Sequence, residues 1–236
     1  MDDAPARAAQ LADYHVREVV DCVRCPLHQT RTQVVLGSGD PNAELMFVGE
    51  APGYHEDRLG IPFVGQAGKL LDKLLAGIGL TREEVFVANV LKCRPPGNRD
   101  PLAAEIEECE GHLFRQVGII QPKLICTLGN FATKLISGRP DGISRVHGHE
   151  LPIEIGGHSL LLYPLFHPAA ALYTPSMLAT LEVDFARIPE LTGRTVSIPA
   201  PGATATAPAV TVEAEPITVA APADALVGEP EQLGLF

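Results

Sequence analysis

The chain has 236 residues, 46% of them apolar and 20% charged, with a net charge of −11. That is room for one medium domain with extensions and enough apolar content for a full core, while the acidic balance excludes non-specific nucleic-acid binding through bulk charge. The charge is uneven: five of the 29 acids and no base lie beyond Thr195, so the other 24 acids face 18 bases, and a local basic groove is compatible with the body of the chain.

In chain order, residues Ala6 to Asp21 carry a helical apolar stripe (Leu11, Tyr14, Val19), and CVRCPLH follows as a tight loop. AELMFVG, Ala43 to Gly49, is a short apolar run stopped by Gly and predicts a buried strand. The loop EAPGYHEDRLGIPFVG leads to a helix over QAGKLLDKLLAGIGL, with Leu70, Leu71, Leu74, Leu75 and Ile78 on one face. VFVANVL, residues 85–91, predicts a second strand. CRPPGNRD is a loop, because Pro95 and Pro96 exclude helix and central strand. Pro101 opens a helix over PLAAEIEECEGHLFRQV. PKLICTLG predicts a third strand, NFATKLIS a short helix, SLLLYPLFHP a fourth strand ending at His167-Pro168, and PSMLATLEVDFARIPEL a last helix.

Strands alternate with helices and are mostly uniformly apolar. The expected fold is therefore α/β, a three-layer α/β/α sandwich with a mostly parallel central sheet of about four strands. Ligands of such sheets sit at the carboxyl ends of the strands, where the loops from Glu50, Asn89 and Phe166-His167 emerge. No internal repeat is present. The expected division is a domain over 1–194, a disordered Ala/Pro-rich linker over 195–231 and a terminal peptide over 232–236. The N-terminus has no signal-peptide pattern, and no run of about 18 apolar residues spans a membrane, so a cytoplasmic monomer is expected.

Five cysteines in such a chain point to reduced thiols or metal ligands rather than disulfides. Cys22 and Cys25 have the C-x2-C spacing that grips one metal centre from one loop; Cys93 and Cys109 are a second, wider pair. Together they would hold Zn²⁺ or an iron–sulfur cluster, and spacing alone does not separate the two. Cys126, in mid-strand, is a core thiol.

The loop after the first strand is rich in glycine (Gly49, Gly53, Gly60, Gly65, Gly68), which permits close backbone approach. Gln66-Ala67-Gly68 at the following helix start would offer N–H groups to a phosphate. The spacing fits neither G-x-G-x-x-G nor a Walker A loop. GEAPG from Gly49, Glu56-Asp57, and GIPFVG from Gly60 resemble the first motif of family-4 uracil-DNA glycosylases; NVLKCRPPGNRDP from Asn89 resembles their second signature and HPAAAL from His167 their third. The resemblance runs from about Cys22 to Phe185 and does not cover the tail.

The resemblance implies a [4Fe–4S] cluster on Cys22, Cys25, Cys93 and Cys109, and a reaction in which deoxyuridine is flipped from DNA and its N-glycosidic bond cleaved. It implies Phe63 as the aromatic platform, Asn89 as reader of uracil O4 and N3–H, and His167 as donor to uracil O2 as charge builds there. Gly49 and Ala51 belong to the pocket; Ala51 stands where the better-known uracil glycosylases carry the Asp that positions the attacking water. Glu50 would order water or stabilise the cationic sugar, and Glu56 would reject the thymine methyl. Leu172 would fill the gap left by the flipped base, Tyr173 standing where the family often has Arg. Gln66, Gly68, Lys92, Arg94 and Arg99 are the candidate contacts to DNA. A covalently trapped relative would need a basic, His-containing insertion that RPPGNRDPLAAEIEE lacks. The alternative from another class is a non-catalytic or redox-sensing iron–sulfur protein that binds damaged DNA.

The tail ends in Gln232-Leu233-Gly234-Leu235-Phe236. This resembles the short peptide by which bacterial DNA enzymes dock on the β sliding clamp, with Gln232, Leu233, Leu235 and Phe236 as its contacts. As a coil, the preceding linker spans on the order of 35 Å.

Overall fold

A computed structural model describes residues 4–193, which belong to a unit spanning Met1–Ile198; the expected linker and terminal peptide lie outside the described residues. Helix α1 (Ala4–Tyr14) runs on as a π-helical turn, His15–Val19, and buries Leu11 and Val19. There follow β1 (Ser38–Gly39), β2 (Leu45–Gly49), α2 (Tyr54–Leu59), α3 (Gln66–Gly77), β3 (Phe86–Asn89), α4 (Ala103–Ile120) and β4 (Leu124–Leu128). The rest comprises α5 (Asn130–Ser137), α6 (Ile143–Val146), β5 (Leu151–Ile155), β6 (His158–Leu165), α7 (Pro168–Ala171), α8 (Pro175–Ala186) and α9 (Ile188–Thr192).

The sheet has six strands in the order β1-β3-β2-β4-β6-β5. The four expected strands form its parallel centre, and antiparallel β1 and β5 are added at the edges. Both additions have weak local signals. β1 is only two residues long, and β5, LPIEI, is an edge strand that alternates half-buried and exposed positions. The Gly156-Gly157 pair, both at positive φ, makes the two-residue hairpin turn into β6 and was the cue to β5.

Because side chains alternate across a strand, the central strands feed two cores. Met46, Val48, Ala88, Ile125 and Leu162 face α1, α4 and α5; Phe47, Val87, Cys126 and Tyr163 face α3, α8 and α9. Phe47 stacks on Phe185 with ring centroids 5.7 Å apart, and each such buried ring contributes about 2–3 kcal/mol. Cys126 is a core thiol, as expected.

Three segments depart from their expected form. The loop after β2 contains α2. The helix expected from Pro101 starts at Ala103, because Leu102 is extended and its N–H donates to the Glu105 carboxylate. The last helix breaks at Arg187, where Pro189 lacks an N–H and clashes with the preceding turn. The parallel strands still bring Gly49, Asn89 and the Phe166-His167 segment to one edge of the sheet.

Candidate functional site

Gly49 and Asn89 end neighbouring strands in register. The Asn89 side chain is 2% exposed, and its Oδ1 has no hydrogen-bond partner. A buried acceptor left unpaired costs about 1–3 kcal/mol, which a ligand donor recovers. A Cβ at Gly49 would lie 2.5 Å from that Oδ1 and 2.6 Å from Phe63 Cζ. Glycine therefore keeps the space between the amide and the ring open.

Phe63 has φ 54°, a left-handed conformation that costs a non-glycine residue on the order of 1–3 kcal/mol. Two neighbours hold it. Gly68 packs so tightly beneath it that a Cβ would sit 1.7 Å from the Phe63 carbonyl oxygen. Arg82 Nη2 donates to the same oxygen at 2.8 Å, its guanidinium lies 6.0 Å from the Phe63 ring centroid, and its Nε pairs with Asp72 Oδ1 at 2.5 Å. Arg82 is thus a positioning residue absent from the sequence-based set. Nothing local marks it, since it sits in an ordinary charged turn. Gly68, expected as a DNA contact, is buried and packs against the Phe63 backbone.

His167 is the N-cap of α7: its Nδ1 accepts the Ala169 N–H at 3.1 Å. An accepting Nδ1 carries no proton, so the neutral ring bears its hydrogen on Nε2. Burial pushes the imidazole pKa down to about 4, the nearby Glu56 charge opposing this. The ring lies 5.6 Å from that of Phe63, 25° from parallel. The site thus presents a neutral donor beside a flat apolar wall and an unpaired amide oxygen.

Glu56 Oε1 accepts the N–H groups of Val64 and Gly65, both at 2.9 Å. That ties α2 to the platform turn and assigns the carboxylate to holding the loop. Glu50, next to Gly49, is half-buried; burial, with the charge of Asp100 adding, raises its pKa to about 7. Ala51 packs half-buried against the core.

The expected DNA contacts divide. Gln66 is exposed at the start of α3. Lys92 is corrected: it is 1% exposed, and its Nζ donates to Asn89 O at 2.7 Å and Gln116 Oε1 at 2.5 Å, so it braces the amide residue from inside. Arg99 is exposed and forms a bidentate pair with the buried Glu105 at 2.5 and 2.9 Å. Arg94 donates to Asn98 Oδ1 and lies 5.2 Å from the Tyr54 ring centroid. Leu172 is half-buried, and Tyr173 beside it stands 87% exposed. His147, without support from sequence, packs 4.3 Å from the Phe166 ring and pairs with Asp184 at 2.9 Å. It thereby backs the segment that carries His167.

The four cysteines of the two pairs line one small cavity between the first loop, the segment after β3 and α4. Cys93 and Cys109 are buried, and Cys22 and Cys25 half-buried. Arg31 Nη1 donates to Cys93 Sγ at 3.4 Å and the Lys92 N–H to Cys109 Sγ at 3.3 Å. Burial pushes the Cys109 thiol up to about 11, with Lys92 opposing. Among the described residues no three His, Cys, Asp or Glu side chains converge as on a single metal ion.

Comparison with known proteins agrees with this layout. Residues 36–188 match the Uracil DNA glycosylase superfamily. The chain is 49% identical to a type-4 uracil-DNA glycosylase of Archaeoglobus fulgidus over 76% of its length and 92% of that protein. It is 49% identical to the type-4 enzyme of Sulfurisphaera tokodaii, over 74% of this chain and 81% of that one. The type-4 enzyme of Saccharolobus solfataricus is 46% identical, over 73% and 82%. With the parallel sheet, the motif loops at its carboxyl edge and the matched span in agreement, the chain belongs to the uracil DNA glycosylase superfamily.

Proposed function

We propose that this chain excises uracil from DNA: it takes a flipped deoxyuridine into the Phe63–Asn89–His167 pocket and hydrolyses the N-glycosidic bond, leaving an abasic site for base-excision repair. The observation that carries this reading is the buried, unpartnered Asn89 Oδ1 facing space kept open by Gly49. Uracil offers N3–H to that oxygen and O4 to the amide donor. Cytosine has the reverse pattern, an unprotonated N3 and an amino group, and would leave both groups of the amide mismatched.

As the glycosidic bond lengthens, the sugar gains oxocarbenium character and negative charge moves onto uracil. His167 Nε2–H donates to O2, where that charge develops, in a preorganised and water-poor setting. The ionised Glu50 carboxylate stabilises the cationic sugar and orders the attacking water, a task Ala51 cannot perform. Phe63 supplies the stacking wall, and Arg82, Gly68 and Glu56 hold its strained turn. Gln66 and Arg94 contact the DNA backbone.

The reading includes a [4Fe–4S] cluster on Cys22, Cys25, Cys93 and Cys109. What supports it is that the four sulfurs line one cavity, Cys22 and Cys25 from one loop and Cys93 and Cys109 from the segments packed against it, a thiolate set of the kind that holds such a cluster. When bound, the cluster supplies a cross-link that ties the first loop to the segment carrying Asn89 and Lys92. The purified protein should contain iron and acid-labile sulfide in equal amounts. It should convert a uracil-containing oligonucleotide, but not its thymine or cytosine counterparts, into alkali-labile product. Intact strands after incubation and alkali would reject the excision reading; stoichiometric zinc without sulfide would reject the cluster.

The proposal assigns catalysis to residues 1–194, a linker to 195–231 and a sliding-clamp peptide to 232–236. Leu235 and Phe236 would fill an apolar pocket, Leu233 would pack beside them, and Gln232 would orient the peptide. Tethering would raise the local concentration of enzyme at clamp-bound DNA. Deleting the last five residues should abolish binding to the purified clamp while leaving excision from short oligonucleotides intact; unchanged clamp affinity would dispose of this assignment.

A further inference from the structure

Of the four tyrosines, Tyr163 is fully buried and Tyr14 is half-buried against His112. The other two face solvent: Tyr54 is 49% exposed and Tyr173 87%. Both lie on segments that leave the carboxyl edge of the sheet, Tyr54 after β2 and Tyr173 after β6 and α7. The strand ends that precede them also carry Gly49 and His167, five and six residues before the two rings. We propose that Tyr54 and Tyr173 are a pair of aromatic platforms that stack the bases flanking the flipped deoxyuridine in single-stranded DNA. This rests on the uracil-pocket reading above.

The surroundings of Tyr54 fit a nucleic-acid strand. Arg94 lies 5.2 Å and Arg58 5.7 Å from its ring centroid, and Arg58 Nη1 donates to the Tyr54 hydroxyl at 3.3 Å. An otherwise acidic chain thus places two guanidinium groups around an exposed ring. Base stacking on an aromatic face beside positive charge is how single strands are gripped without regard to sequence. After β6 and α7, Leu172 is half-buried and Tyr173 next to it is exposed over nearly its whole surface. The two platforms hold bases that have lost a neighbour, which is the state of the strand on either side of a flipped nucleotide.

The test measures affinity for a single-stranded oligonucleotide with one non-hydrolysable deoxyuridine analogue, by fluorescence anisotropy, for wild type, Tyr54→Ala, Tyr173→Ala, the double variant and the two Tyr→Phe variants. Each Ala change should weaken binding roughly tenfold and the pair roughly a hundredfold, whereas Phe keeps the ring and the affinity. On an oligonucleotide whose two nucleotides flanking the analogue lack bases, wild type should fall to the level of the double variant, and the Ala changes should cost nothing more. Ala variants that bind as wild type, or that lose the same factor on baseless flanks, would overturn the proposal. So would a loss confined to a U·G duplex, which would make the rings duplex wedges. Excision of natural uracil, followed in parallel, reports on the pocket separately: binding that responds as expected without excision would sink the excision reading and leave the platforms standing.

Discussion

Replacing His167 by Asn should slow single-turnover uracil release by about 10²- to 10³-fold, the usual loss when one preorganised donor to a developing oxyanion is removed. The side chain does two things at once. Its Nδ1 caps α7 by accepting the Ala169 N–H, which leaves Nε2–H as the donor that the proposed reaction uses. Asn is a good N-cap and retains the first role without the second, whereas His167→Ala removes both and should cost a further ~1 kcal/mol of stability. Comparing the two variants by thermal melting and by excision rate separates capping from catalysis. Equal losses in rate and in DNA affinity would refute a transition-state role. With its pKa pushed down to about 4, the wild-type imidazole is neutral from mildly acidic pH upward, so His167 contributes no inflection to the rate near neutrality.

Glu50→Gln should flatten a pH profile that in the wild type rises through about pH 7 and levels off above it. The Glu50 carboxyl, raised to about 7 mainly by burial, is largely protonated at pH 6 and largely ionised at pH 8, and only the ionised form stabilises the cationic sugar or orders water. The rate above pH 8 should fall about 10²-fold in the variant. A wild-type profile flat from pH 6 to 8, or a Gln variant that keeps the inflection, would remove Glu50 from the mechanism. The sign for stability is opposite. Because the folded state favours the protonated form, this group's stabilising contribution is fully present below pH 4.5 and is lost as pH rises toward 7. The full shift corresponds to about 3 kcal/mol, and solvent contact at this half-buried carboxyl screens it to about 1 kcal/mol. Glu50→Gln should therefore be more stable than wild type by that amount at pH 8 and indistinguishable at pH 4. Gain of stability with loss of rate is what an ionised group held in an unfavourable site for catalysis should show.

The residues at strand ends were legible because their signals are local. An apolar run stopped by Gly49, the Asn within VFVANVL and the His-Pro after SLLLYPLF each mark a position on the sheet's carboxyl edge without knowledge of any distant contact. Cys22 and Cys25 were legible for the same reason; Cys93 and Cys109, too widely spaced to be diagnostic, joined them through the family resemblance, and the fold brings all four to one cavity. What failed was inference about which way a polar side chain points once a strand has ended. Lys92, three residues after Asn89, looks like a loop cation; the fold turns it inward because Gln116 on α4, 24 residues away, completes its hydrogen bonds. Arg99, in the same loop, stays exposed, and nothing around it in the sequence announces that its partner is the buried Glu105 at the start of α4. Arg82, the residue that clamps the platform, lies 19 positions from the carbonyl it holds, and an arginine in a turn gives no local hint of its partner.

The sequence by itself determined the order of strands and helices, the parallel centre of the sheet, and the edge to which Gly49, Asn89 and His167 are brought. These depend on hydrophobic period and on chain-breaking residues, which act over a few positions. Only the tertiary structure decided the edge strands, the tautomer of His167, the open space beside Gly49, the inward turn of Lys92, the pairing of Arg99 with Glu105, and the exposure of Tyr54 and Tyr173. Each of those depends on whether a polar or aromatic group finds a partner brought from elsewhere in the chain. A partner met across tens of residues leaves no mark on the sequence around either member of the pair.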